Sequence, residues 1–298
     1  MKKNNNKQIK RKNKKQIKEL KMAVYNKLEQ LNQLCPVKLL DYDRPMLLVD
    51  IETIGDLRKR ETIFPYDISY YIVKMEKGKF KIIEKNTLII SDIYDNEYLM
   101  ENAFFGKKRP LYNHYLNHYN TDKKCKFFNK VSAIEALQKI NTLIKKHDIT
   151  IFGAFNVEFD YNGITNLYTK NSKLKNGIKK LYRFDIMVLM AQYFLEFPKE
   201  LDSFINWCLE HDKKTDKDNC LFTVENIVAF LTKNSNFQEK HMGLFDLENE
   251  LYIINKIVQK YRRNKLEINY KLNSMKKDIS HYLYKGKTPL LSLKEFLN

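Results

Sequence analysis

One stretch constrains this chain more than any other: residues 46–55 read MLLVDIETIG. Its apolar, β-branched character marks a buried strand, yet it carries two carboxylates, Asp50 and Glu52, one position apart. Side chains alternate along a strand, so Leu47, Val49 and Ile51 share one face while Leu48, Asp50 and Glu52 share the other. The two acids lie side by side. Neighbouring carboxylates beside an apolar core repel each other and resist losing water, and a shared proton, basic partners or a metal cation must compensate. A strand end with both acids in solvent would account for this stretch equally well on its own.

The rest of the chain reads as an α/β domain. MLLVDIE, YDISYYIVKME and FKIIEKNTLII are strand-like, with Gly78 as the turn between the last two, and three strands in succession predict an antiparallel meander. Residues 91–130, rich in Tyr, Asn and Lys, read as a helical or looped insertion. SAIEALQKINTLIKKH places Ile134, Leu137, Ile140 and Ile144 on one helical face, and DITIFGAFN follows as a short strand running into a loop. Helices are expected over 157–169, 186–196, 224–234 and 246–262, the last aligning Leu247, Leu251, Ile254 and Val258. Strands followed by alternating helices and short strands predict a mixed sheet. The expected organisation is a basic arm and amphipathic helix over 1–43, a central domain over 44–262 and an appendage over 263–298.

Charge narrows the partners. The 298 residues carry a formal net charge of +18, concentrated in MKKNNNKQIKRKNKKQIKELK at the start, where Glu19 is the only acid. Such an arm suits polyanions, nucleic acid first and an anionic surface second. Ile17, Leu20, Val24, Leu28 and Leu31 recur at helical spacing behind it and suit packing on the domain or on a partner. No run of about eighteen apolar residues is present, which argues against a membrane-spanning helix. The lysine-rich start does not lead into the apolar segment of a signal peptide, and the expected location is cytoplasmic. Cys35, Cys125, Cys208 and Cys220 are scattered without a C-x-x-C pair, against a zinc knuckle or a disulfide scaffold.

If Asp50 and Glu52 hold a metal, further oxygen ligands must come from elsewhere in the chain. FGAFNVEFDYNGI sets Asn156 and Asp160 four residues apart at the start of a helix. QEKHMGLFDLENEL sets His241 ahead of Asp246 at the entrance to the long helix, with Gly243 between them. Each is ambiguous alone: an acid near a helix N-terminus is ordinarily a cap, and a lone His is usually structural.

Taken in order, D-x-E-T, N-x-x-F-D and H-x4-D resemble the DEDD superfamily of 3′–5′ exonucleases, in its histidine-bearing subgroup of DnaQ-like and ribonuclease T-like enzymes. The matching residues are Asp50, Glu52 and Thr53, then Asn156, Phe159 and Asp160, then His241 and Asp246, and RFDIMVLMAQYF with Asp185 fits a supporting strand and helix. The resemblance covers about residues 44 to 260 and departs at Gly243, where the family commonly has alanine. It implies a ribonuclease H-like mixed sheet flanked by helices. It implies two divalent cations, Mg²⁺ or Mn²⁺, held by Asp50, Glu52, Asp160 and Asp246, with Asp50 bridging and His241 as general base. Thr53 would lie beside the terminal nucleotide, Phe159 would pack or stack near it, and Asn156 would bond the substrate or cap its helix.

The implied activity is hydrolysis at single-stranded 3′ ends, with DNA favoured. The nearest alternative is an RNA-trimming enzyme of the ribonuclease T or oligoribonuclease kind, and from another class, a non-catalytic nucleic-acid-binding or polymerase-associated module. The 17–31 helix is a candidate attachment to a polymerase, a replication or repair partner, or a second copy. Tyr112, Tyr115 and Tyr119, interleaved with His114 and His118, offer stacking surfaces for bases.

Overall fold

A computed structural model describes residues 43–56, 59–101, 103, 127–213 and 220–266. The basic arm, the 17–31 stripe, the tyrosines and histidines of 112–119 and the segment from 267 to 298 lie outside these. Two compact units divide the chain: one holds Asp41–Phe184 and Glu239–Asn255, and the described part of the other holds Asp185–Gln238 and the stretch from Lys256.

The first unit is organised by a six-stranded sheet. Its strands are β1 (Met46–Ile54), β2 (Phe64–Glu76), β3 (Lys79–Ile90), β4 (Phe128–Val131), β5 (Ile151–Ala154) and β6 (Tyr182–Asp185), in spatial order β4-β3-β2-β1-β5-β6. The meander forms as the sequence suggests: β1 and β3 both pair antiparallel with β2. The β2–β3 turn is tight because Lys77 and Gly78 both take positive φ, 48° and 81°, the twist that suits a two-residue hairpin. β4 runs parallel to β3, and β5 runs parallel to β1. A mixed sheet whose first strand is flanked by an antiparallel neighbour on one side and a parallel one on the other, with helices in the crossovers, is a ribonuclease H-like α/β arrangement.

The stretch 91–130 opens with two short helices, α1 (Ser91–Tyr94) and α2 (Glu97–Glu101), and ends in β4. α3 (Ala133–Lys146) starts at Ser132, whose hydroxyl accepts from Glu135 N while the Glu135 carboxylate accepts from Ser132 N. Its buried residues are Ala133, Ala136, Leu137, Ile140 and Leu143, whereas Ile134, expected on the inner face, is 48% exposed. Residues on a helix are separated by about 100°, which leaves Ile134 roughly 120° from the centre of the buried face. The small alanines let the helix turn that face to the sheet. α4 (Val157–Lys170) lies against β1 at Gly163, where a Cβ would come within 2.5 Å of Ile51 Cδ1. Leu47, Val49, Ile51, Ile68, Leu137 and Ile164 meet in the main apolar core.

The second unit contains α5 (Ile186–Glu196), α6 (Pro198–Glu210) and α7 (Val224–Thr232). Asp185 caps α5 by accepting from Met187 N at 3.0 Å, and Thr223 caps α7 by accepting from Asn226 N at 3.3 Å. α6 is a helix the sequence reading leaves out; proline at its first turn and apolar residues at 201, 204, 205 and 208 explain it. Phe204 stacks on Phe194 at 5.0 Å between centroids and meets Phe222 and Phe230 edge-on, which gives this unit an aromatic core. α8 (Gly243–Arg263) contributes Gly243 to Asn255 to the first unit and the remainder to the second. Among the described residues, no helix is long and apolar enough to cross a membrane.

Candidate metal centre

The centre is built where β1 and β5 part. Their parallel pairing covers only Met46–Leu48 against Ile151–Gly153, while β1 continues along β2 to Ile54. Past Leu48 the amides on the β5 side need other acceptors. Ile51 N finds one in Asp160, donating to Oδ1 at 3.1 Å across the interior. The close seat of α4 at Gly163, one turn beyond Asp160, makes that bond possible. β5 ends at Ala154, and Asn156 turns the chain into α4 with φ 66° and ψ 50°, a left-handed conformation. Asn156 is exposed and its side chain makes no capping bond, so the capping alternative for this residue is not what the structure shows.

On the other side of β1, Asp50 pairs with Ser69 and Glu52 with Asp67. The ladder slips between Glu52 and Thr53, an irregularity of the kind that re-aims side chains next to sites. Thr53 is buried. Phe159 is half-buried and packs against the main core.

The third segment passes directly over Asp50. His241 is half-buried and also left-handed, with φ 51°. Left-handed non-glycine residues carry backbone strain that surrounding structure must hold in place, and such strain gathers at functional positions. Asp246 reaches back to accept from Met242 N at 2.8 Å, fixing the start of α8. A Cβ on Gly243 would lie 2.7 Å from Ser69 Cβ, 2.8 Å from Ser69 Oγ and 3.1 Å from Asp50 Oδ2. The seat has no room for alanine, which is the physical reason for glycine here. With α8 thus placed, Asp50, Glu52 and Asp246 each bring a carboxylate oxygen within 4.8 Å of the others.

Three further acids belong to this neighbourhood and were not singled out from the sequence. Asp67 is buried and accepts from Ser69 Oγ at 2.9 Å. Glu239 precedes His241 and adds negative charge at Glu52 and Glu250. Glu250 is 2% exposed, one turn after Asp246 on α8, and its Oε1 accepts from Phe155 N at 3.2 Å. A signal for Glu250 existed in its spacing from Asp246; Asp67 depends on strand register, which the sequence does not display.

The electrostatics follow. Burial, then the charges of Glu52, Asp160, Glu250 and Asp246, push the Asp50 carboxyl well above the usual carboxylate range. Burial and then Asp246 and Asp67 do the same to Glu52. Burial, with Asp160 next, raises Glu250. Burial lifts Asp246 to about 7 against the opposing amides of Met242 and Lys240 and the Lys240 charge. Asp246 Oδ1 and Glu250 Oε2 are buried without a hydrogen-bond partner. Hard oxygen donors, mutual repulsion and buried oxygens in want of a partner fit Mg²⁺ or Mn²⁺, which coordinate carboxylates, better than a softer ion.

No family model matches the chain, and no curated protein matches it. Among solved structures, it is similar to E. coli exonuclease I in complex with a dT13 oligonucleotide at 14% identity, with a TM-score of 0.45 over 74% of this chain and 42% of that one. For E. coli exonuclease I with a dA16 oligonucleotide the values are 13% and 0.46, over 78% and 45%. A 3′-exonuclease described in 3′-end-specific recognition of a histone mRNA stem-loop shows 11% and 0.42, over 80% and 72%. The chain spans less than half the length of the exonuclease I chains it matches.

Proposed function

We propose that the chain is a divalent-cation-dependent 3′–5′ exonuclease of the histidine-bearing DEDD subgroup, acting on single-stranded nucleic-acid ends, DNA by preference. The observation that carries this reading is the convergence of Asp50, Glu52 and Asp246 oxygens within 4.8 Å, with Asp160 bonded to the same strand at Ile51. These residues come from three separated segments. Their negative charge is costly in a buried pocket and is offset by cations.

Asp50, Glu52, Asp160 and Asp246 would hold two Mg²⁺ or Mn²⁺ ions. Bound, the ions supply Lewis-acid stabilisation of charge on the phosphodiester. His241 takes the proton of the attacking water, a task imidazole performs near neutral pH. Thr53 and Phe159 border the terminal nucleotide, and Asn156, exposed at the corner that leads into α4, bonds the substrate. The net charge of +18 favours approach of a polyanion.

The test incubates the full chain with end-labelled single-stranded DNA or RNA, in Mg²⁺, Mn²⁺ or chelator, beside Asp50→Ala and His241→Ala. Stepwise release of mononucleotides that needs metal and vanishes with Asp50→Ala is expected, faster on DNA. Metal-independent cleavage, or cleavage untouched by Asp50→Ala, refutes the reading. Binding without product would mark a non-catalytic module instead.

A further inference from the structure

Glu250 has a place in the pocket that the four-acid scheme does not use. It stands four residues after Asp246, hence on the same face of α8 and one turn along. One oxygen is engaged: Oε1 accepts from Phe155 N, the amide between β5 and the left-handed Asn156 that opens α4. Glu250 therefore ties the start of α8 to the corner that delivers Asp160. The other oxygen is not engaged. Oε2 is buried and has no hydrogen-bond partner, although the side chain is almost wholly enclosed. Its position one turn after Asp246 and against Phe155 N sets the carboxyl in the acidic neighbourhood, in keeping with the effect of its charge on Asp50.

We propose that Glu250 is a fifth carboxylate of the cation site: held by the Phe155 amide through Oε1, it offers Oε2 as an acceptor to the hydration shell of a bound divalent ion. This rests on the reading of the pocket as a cation site. A residue serving only to cap an amide would be better replaced by glutamine, which accepts equally well and carries no charge into the company of other acids. Glutamate is costly there without a cation and useful with one. Outer partners of this kind commonly change metal affinity by about 10- to 100-fold.

The experiment measures Mn²⁺ binding to the full chain by isothermal titration calorimetry, without substrate, for wild type, Glu250→Gln, Glu250→Asp and Asp50→Ala, with thermal melts in chelator alongside. Glu250→Gln keeps an acceptor for Phe155 N and should bind Mn²⁺ on the order of tenfold more weakly, while melting higher than wild type in chelator. A merely structural glutamate would not produce that opposed pair. Glu250→Asp retains the charge and loses the reach, and should also bind more weakly; it carries the test if the glutamine variant does not fold. Wild-type affinity in either folded variant overturns the inference. If Asp50→Ala loses Mn²⁺ while the Glu250 variants keep it, the inference falls and the exonuclease reading stands. If wild type and Asp50→Ala bind alike, or wild type binds no Mn²⁺, both fall.

Discussion

Asp246→Asn should make the cation-free protein more stable at about pH 8, by an amount that the burial of Asp246 sets. The folded carboxyl titrates near 7 against an ordinary 3.8. Below the lower value both folded and unfolded chains hold the proton, and the acid costs nothing. As pH rises toward 7, the unfolded chain has given up the proton and the folded one still holds it. Stability therefore falls by up to about 1.4 kcal/mol per pH unit, or roughly 4 kcal/mol across the window. Asparagine avoids that cost and still offers an oxygen to Met242 N, the bond that fixes the start of α8. Thermal melts followed by circular dichroism in chelator should show wild type losing stability between about pH 4 and 7, the window the two values of this carboxyl set, and Asp246→Asn melting on the order of 10 °C above it from the upper end onward. Added Mn²⁺ should reverse the order, because only the acid gains by binding it. A wild type whose stability is flat or rising over this range in chelator, or an asparagine variant that melts below it, would refute the account of a pocket strained by its own charge.

Other perturbations probe separate joints of the site. Gly243→Ala pushes a Cβ into Ser69 and against Asp50, and urea denaturation should show a loss of about 1–3 kcal/mol; Ser69→Gly in the same chain should restore part of it. Asp160→Ala strands the buried Ile51 amide, whereas Asp160→Asn keeps its acceptor, so the alanine variant should be less stable than the asparagine variant by roughly 1–3 kcal/mol. His241→Ala should slow single-turnover hydrolysis by about 10²- to 10⁴-fold, with single-stranded DNA affinity by fluorescence anisotropy close to wild type; equal losses in both would remove the histidine from proton transfer.

Local pattern made much of this fold legible. Alternation in MLLVDIE placed Asp50 and Glu52 on one face, and helical spacing bracketed the helices now seen as Val157–Lys170 and Ile186–Glu196. Properties that depend on distant partners were not legible. Strand β2 is buried on both faces over most of its length, so its side chains carry no alternation from which Asp67 could be set opposite Glu52. In α3, the large Ile134 outweighed the small Ala133 and Ala136 in a reading by hydrophobicity, yet it is the alanines that allow close packing. Glu250 hid within the apolar face of α8 because an isolated acid there looks like a break in the stripe rather than part of a site. The left-handed turns at Asn156 and His241 have no glycine to announce them.

The early parting of β1 from β5 also bears on how such a chain tolerates change across generations. Up to Leu48 the two strands are joined peptide to peptide, a bond indifferent to which apolar residue sits above it. At Ile51 the same need is met by a side chain borrowed from a helix, Asp160 of α4. Drift should therefore pass freely through the near half of the strand as long as bulk is kept, while in the far half an exchange at position 160 that removes the acceptor leaves a peptide group stranded on a distant segment.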